Sequence, residues 1–194
     1  MIDLPSDGDE AYQYRLKKLI NRFKKPGIRI LEVGSRTGVS TAIFAEVAKQ
    51  EGGKVVVVDD WFMPTEKVLF EQNMRKYWDV LEIHHTRSEK FLPTLPDCSF
   101  DFIYLDADHR YDPVKQDIEQ IKRLIKPGGM ICGHDCWFGL KSYDREWLEA
   151  NKDEHHTWTE TKIHVFPGVY LAMLDIFEGK AEIDVDIWSM VRSW

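Results

Sequence analysis

Short apolar runs alternate along this chain with stretches whose apolar residues recur at helical spacing. The first amphipathic stretch, from about Asp9 to Lys24, carries Tyr12, Leu16, Leu19, Ile20 and Phe23 on one face and stops at Pro26-Gly27. Ile28–Val33 and Lys54–Asp60 follow as strands buried on both faces. The helix between them carries Val39, Ile43 and Val47 and ends before Gly52-Gly53. A helix from about Thr65 puts Phe70, Met74, Tyr77 and Trp78 on one face. A third strand over about Val80–His85 leads into a short helix at Ser88–Leu92, and Phe100–Asp106 is the fourth strand. The clearest helix comes next, with Asp112 as N-cap, Pro113 in the first helical position and a stripe of Val114, Ile118, Ile121, Leu124 and Ile125. Lys126-Pro-Gly-Gly129 breaks it, and Met130–Gly133 is the fifth strand. Pro167 opens a last helix bearing Val169, Met173, Ile176 and Phe177, ended by Gly179. Ile183–Val185 and Ile187–Val191 then pair as a closing hairpin.

Strands alternating with helices predict an α/β fold, a doubly wound and mostly parallel sheet in a single domain over residues 1–194. Residues 137–165 break the rhythm. Trp137, Phe138, Tyr143, Trp147 and Trp158 stand there among charges and the pair His155-His156. This insertion follows the fifth strand, at the edge where such sheets bind ligands, so it reads either as a substrate lid or as a satellite cluster under a long loop. His155 and His156 read as surface residues of it.

A net charge of -7, with no basic run to offset it, disfavours nucleic acid or an anionic membrane as partner. The acidic N-terminus lacks the apolar core of a signal peptide, and no apolar run approaches the roughly 20 residues of a membrane span. Cys98, Cys132 and Cys136 are expected as reduced thiols in a cytoplasmic protein; no second pair completes a thiolate zinc site.

The candidate chemistry lies at the carboxyl ends of the strands. These read Glu32, Asp59-Asp60, Asp106-Ala-Asp-His109 and His134-Asp135. After the first strand, Gly34 and Gly38 make a tight turn into a helix whose N–H groups face a ligand. Asp59 is set to accept from a ribose diol. A pyrophosphate-binding turn has the form G-x-G-x-x-G, whereas this one is Gly34-x-x-x-Gly38 preceded by Glu32, a carboxylate that repels phosphate and favours a cationic ligand. That argues against a Rossmann oxidoreductase and for S-adenosylmethionine, with its sulfonium and ammonium.

Leu31-Glu-Val-Gly-Ser-Arg-Thr-Gly-Val-Ser40 resembles motif I of class I S-adenosylmethionine-dependent methyltransferases. Val58-Asp-Asp-Trp61, Phe100–Asp106, Asp108-His-Arg-Tyr-Asp112, Lys126-Pro-Gly-Gly129 and Gly133-His-Asp135 resemble the later motifs in order, and Phe166-Pro-Gly-Val169 with Ile187-Trp188 resembles the end of small-molecule O-methyltransferase domains. The resemblance implies a seven-stranded sheet with its last strand antiparallel. It implies cofactor contacts from Glu32, Gly34, Ser35, Gly38, Ser40, Asp59, Trp61, Ser88 and Asp106, with Trp61 and Ser88 near the adenine. Catechol and antibiotic-sugar O-methyltransferases further imply a divalent cation, Mg²⁺ or Mn²⁺, held by Asp106, His134 and Asp135, with Asp108 or His109 as general base. His134 departs from that pattern, in which the relatives carry a carboxylate; imidazole suits Mn²⁺, Fe²⁺ or Zn²⁺ better than Mg²⁺. The expected partners are a small-molecule hydroxyl acceptor and a second copy of the chain in a homodimer. The rival readings are a cofactor-binding scaffold without catalysis and a nucleic-acid N-methyltransferase. The latter's Asn/Asp-Pro-Pro-aromatic motif is replaced here by Asp106-Ala-Asp-His109.

Overall fold

The computed structural model describes residues 10–160 and 162–193, so Asp9, at the expected start of the first helix, lies outside it. The strands are β1 (Arg29–Val33), β2 (Lys54–Asp59), β3 (Leu81–His85), β4 (Phe100–Leu105), β5 (Ile125–Gly133), the short pair β6 (Thr157–Trp158) and β7 (His164–Val165), then β8 (Glu182–Asp184) and β9 (Ile187–Val191). The helices are α1 (Glu10–Asn21), α2 (Val39–Glu51), α3 (Pro64–Asn73), α4 (Ser88–Phe91), α5 (Tyr111–Leu124), α6 (Arg145–Asn151) and α7 (Pro167–Phe177). Seven strands form one sheet in the order β3-β2-β1-β4-β5-β9-β8. β3, β2, β1, β4 and β5 are mutually parallel, and β9 runs antiparallel to both β5 and β8.

Side chains alternate across this sheet and fill two cores. Leu31, Val33, Val56, Val58, Ile103 and Ile131 face α5 and α7. Ile30, Val55, Val57, Phe102 and Tyr104 face α1 and α2. Glu32 shares the second face with Ile30, two residues away along the strand. The strand order reverses between β1 and β4, which makes the crevice at their carboxyl ends the place for a ligand.

Several boundaries differ from the pattern. α3 stops at Asn73 and continues as a 3₁₀ turn over Arg75–Tyr77, so Trp78 leaves the buried face and is 53% exposed. α5 begins at Tyr111 after Arg110; Asp112 sits inside the first turn and is not its cap. β5 starts at Ile125, because Ile125 already pairs with Phe100, and the register shifts before Phe102 pairs with Met130. Lys126-Pro-Gly-Gly129 is therefore an irregularity within a strand, anchored by Lys126 Nζ on the Asp101 carboxylate. Val185 is not in β8 but in the turn after it, with φ 63.

In the 137–165 segment, Leu148 and Val165 are buried in the core beside α5 and α7. Asp144 caps α6 by accepting from the Trp147 N–H at 2.8 Å. Lys152 O accepts from Tyr111 N–H at 2.9 Å, which ties the segment to the start of α5. Cys132 and Cys136 are buried on opposite faces of the sheet. Among the described residues, no helix is long and apolar enough to cross a membrane.

α5 carries one buried carboxyl, Asp117. Burial pushes it up to about 7, opposed by the Ser88 hydroxyl that donates to it at 3.0 Å. The folded form thus keeps a proton that the unfolded chain, with Asp near about 3.9, has released. The group's stabilisation is complete below about pH 4 and is lost as pH rises through about 7. Asp117→Asn should flatten that dependence, gaining roughly 2 kcal/mol on wild type between about pH 5 and pH 8 in denaturant melts. Equal pH slopes in the two proteins would contradict it.

Candidate active site

The glycine turn is built by close approach of strand ends. Gly34 N–H donates to Val58 O at 2.9 Å, and Asp106 N–H donates to Val33 O at 2.8 Å, so β1 stays tied to both neighbours past its last residue. Gly34 has φ 84, and a Cβ there would lie 2.0 Å from the Asp106 carbonyl oxygen. At Gly38, φ 94, a Cβ would lie 2.9 Å from Met74 Cε. Gly34 is demanded by the protein's own backbone packing, while at Gly38 the left-handed backbone favours glycine and the Met74 tip could move aside.

Asp59 also works internally. Its Oδ2 accepts from Ser35 N–H at 2.7 Å and Arg36 N–H at 2.9 Å, and its Oδ1 accepts from Trp61 N–H at 2.6 Å. The carboxylate expected to take a ribose diol therefore holds the turn in shape. Trp61 is 3% exposed, packs on Phe70 and donates Nε1–H to Arg36 O at 2.8 Å, forming a wall behind the turn. Ser88 is turned to Asp117. Glu32 is fully buried under α2, accepting from Ser40 Oγ and Thr41 Oγ1, each at 2.5 Å. Burial pushes its carboxyl up to about 8, against the two hydroxyls that favour the ionised form. Its carboxyl lies away from solvent and is tied to Ser40 and Thr41 at the start of α2. Ser35 is buried as well.

The ends of β4 and β5 meet in a compact cluster. Ligand atoms of Asp106, His134 and Asp135 all lie within 4.8 Å of one another. Asp135, held at φ 60, turns Oδ1 to His134 Nδ1 at 3.2 Å and Oδ2 to His109 Nε2 at 2.7 Å. Asp106 meets the same two nitrogens at 3.8 Å and 3.6 Å. Burial lowers the two imidazoles' affinity for protons, but the facing carboxylates outweigh it and push each up to about 9. Burial tends to raise Asp106, yet His109 and His134 hold it below the ordinary carboxylate range. Two carboxylates and one imidazole aimed at one point fit a divalent cation that accepts mixed oxygen and nitrogen ligands, such as Mn²⁺. Asp108 is not part of the cluster: it turns outward and closes on Arg110, Oδ1 to Nε at 3.0 Å and Oδ2 to a terminal guanidinium nitrogen at 2.5 Å. Of the two candidate bases, His109 is the one paired with Asp106 and Asp135, while Asp108 lines the small cavity beside them.

Further groups join from distant parts of the chain. Tyr12 on α1 shares a 2.5 Å hydrogen bond with Tyr104, whose hydroxyl donates to Asp106 Oδ2 at 3.2 Å. His155 Nδ1 lies 3.2 Å from His109 Nδ1, and Phe166 packs on the His109 ring at 4.5 Å. Asp186 lies against His134 and Arg15. Tyr12 and Tyr104 read in sequence as ordinary core positions, and only the alternation that sends Tyr104 to the α1 face hints at their contact. A cleft of about 320 Å³ lies elsewhere, between α1 and α2 around Ile20, Ile43 and Tyr77.

A family model described as a methyltransferase domain matches residues 31–136. The chain belongs to this methyltransferase family. The match runs from β1 through the turn after β5 and so takes in every strand end of the crevice. Over 109 residues, 55% of this chain, it is 32% identical to a protein-L-isoaspartate O-methyltransferase of Pyrobaculum islandicum, covering 48% of that protein. The chain spans about half the length of the curated relatives it matches. Its fold is similar to that of the O-methyltransferase TomG from Streptomyces achromogenes, which is involved in tomaymycin synthesis and was solved in complex with SAM (TM-score 0.69, 17% identity, covering 98% of this chain and 84% of that one). It is similar too to an O-methyltransferase from Bacillus cereus in complex with SAH (TM-score 0.66, 20% identity, covering 97% and 84%). These likenesses show a Rossmann-like methyltransferase fold.

Gly34 and Gly27 both have positive φ, but only Gly34 has backbone where a Cβ would go. Gly27→Ala should cost this methyltransferase about 1 kcal/mol and Gly34→Ala at least about 3 kcal/mol in urea unfolding. Equal losses would refute the close-approach account.

Proposed function

We propose that this methyltransferase carries a methyl group from S-adenosylmethionine to a hydroxyl oxygen of a small molecule, assisted by a divalent cation at Asp106, His134 and Asp135. The observation that carries it is the convergence of those three side chains beside the Gly34 turn, at the point where the strand order reverses. The cofactor half rests on family membership and on a glycine turn that leads into the start of α2, a helix end whose dipole suits an amino-acid carboxylate. The SAM- and SAH-bound relatives of the same fold support it.

A bound cation would orient the acceptor hydroxyl and lower its pKa. The remaining steps belong to the chain. The crevice holds the acceptor oxygen in line with the sulfonium methyl. His109 Nε2, between the carboxylates of Asp106 and Asp135, is the group placed to take the hydroxyl proton once its ring is neutral, which those carboxylates delay until about pH 9. The oxygen gains the methyl group, and the carbon–sulfur bond breaks to leave S-adenosylhomocysteine. Phe166 and His155 restrict the far side of the His109 ring.

The isoaspartate-specific name of the Pyrobaculum relative raises a carboxylate acceptor as a second reading. That relative aligns with 55% of this chain over 48% of its own length, so its acceptor weighs less here than the strand-end cluster.

Calorimetry with S-adenosylhomocysteine should give a saturable isotherm, and no binding at millimolar ligand would sink the cofactor assignment. With a panel of hydroxylated acceptors, chelation or Asp135→Ala should lower turnover by at least about 100-fold while S-adenosylhomocysteine affinity is kept. Turnover unchanged by either would remove the cation.

A further inference from the structure

We infer that Asp186, in the turn between β8 and β9, is a positioning residue that fixes His134 as a cation ligand through Nδ1, and that Arg15 of α1 holds Asp186 in place. The inference rests on the cation-binding reading above. His134 turns its two ring nitrogens to different partners. Nε2 lies 3.3 Å from Asp186 Oδ2, while Nδ1 faces Asp135 Oδ1 at 3.2 Å and Asp106 Oδ2 at 3.8 Å. A neutral imidazole has one N–H and one lone pair, and the partner of one nitrogen decides what the other can do. A carboxylate only accepts hydrogen bonds, so when a cation takes the place of the proton on Nδ1, Asp186 holds the remaining hydrogen on Nε2, and Nδ1 is the nitrogen turned toward Asp106 and Asp135. An aspartate in place of His134 could bind through either oxygen. Imidazole can bind in this orientation through one nitrogen only, and so it needs such a partner.

The surroundings of Asp186 suit the task. Its Oδ1 accepts from an Arg15 guanidinium nitrogen at 3.0 Å. Its carbonyl accepts from Cys136 N–H at 3.0 Å, and its own N–H donates to Asp184 O at 2.9 Å. The Cys136 bond clamps the loop that carries His134 and Asp135 to the hairpin turn. The Tyr12 ring, 4.5 Å from the His134 ring, limits rotation of the imidazole from the α1 side. The Arg15–Asp186 pair, with side chains 17% and 30% exposed, ties α1 to the hairpin turn that carries Asp186.

Two measurements on the full chain separate this role from a structural one. Titration with Mn²⁺, followed by the paramagnetic resonance signal of the free ion, should show Asp186→Ala weakened about 10- to 100-fold. Asp186→Asn, whose amide oxygen still accepts from Nε2–H, should recover most of that loss. S-adenosylhomocysteine affinity should stay at the wild-type value in both. Wild-type Mn²⁺ affinity in Asp186→Ala, or equal losses in the two variants, overturns the inference. Failure of the wild type itself to bind Mn²⁺ removes the cation reading beneath it.

Discussion

The contact on which the site depends is the crossing of Gly34 over the backbone of Asp106. β1 is held at its carboxyl end from both sides, through Val58 O on one flank and Asp106 N–H on the other. With no Cβ at Gly34, the chain leaves the sheet directly above the end of β4. That brings the glycine turn and the Asp106 carboxylate to the same edge at the same height. Asp59 then fixes the turn through the Ser35 and Arg36 N–H groups, and Glu32 fixes the start of α2 through two hydroxyls. Carboxylates thus serve as braces on one side of the switch point. On the other side, Asp106 and Asp135 meet imidazoles and stay reachable from solvent. The division between bracing acids and reactive acids follows the reversal of strand order between β1 and β4.

The same geometry explains how a small domain assembles a reactive centre from residues far apart in sequence. β4 and β5 are adjacent and parallel, so their carboxyl ends deliver Asp106, His109, His134 and Asp135 together. β9 lies beside β5 in the opposite sense, so the turn preceding it returns to the same edge with Asp186. α1 covers the cluster from the other face through Tyr12 and Arg15. Sheet order sets the positions, and short polar contacts set the orientations.

Much of this was legible in the chain. Parallel strands buried on both faces appear as continuous apolar runs, which is why β1, β2 and β4 emerged within a residue of their ends. The trio Asp106, His134 and Asp135 was legible because strand ends are where such sheets hold their chemistry. The bracing role of Asp59 was not, since its partners are backbone amides and leave no mark in the sequence. Glu32 was legible as a carboxylate beside the ligand turn, but its bonds to Ser40 and Thr41 were not, because strand alternation fixes the face it points to and not what α2 places above it. Trp78 was misplaced because a 3₁₀ turn shifts the helical period. Arg15 and Asp186 stand 171 residues apart, and no local pattern joins them.

The central claim is that the Gly34 turn and the Asp106–His134–Asp135 cluster form one site for a methyl donor and a cation. Crystals grown with S-adenosylhomocysteine and Mn²⁺, measured at the manganese absorption edge, test it most directly. The account predicts homocysteine density against the Gly34–Gly38 turn and an anomalous peak bonded to Asp106, His134 Nδ1 and Asp135. Cofactor density at the turn with no peak at the cluster, or manganese bound only elsewhere on the surface, would contradict it.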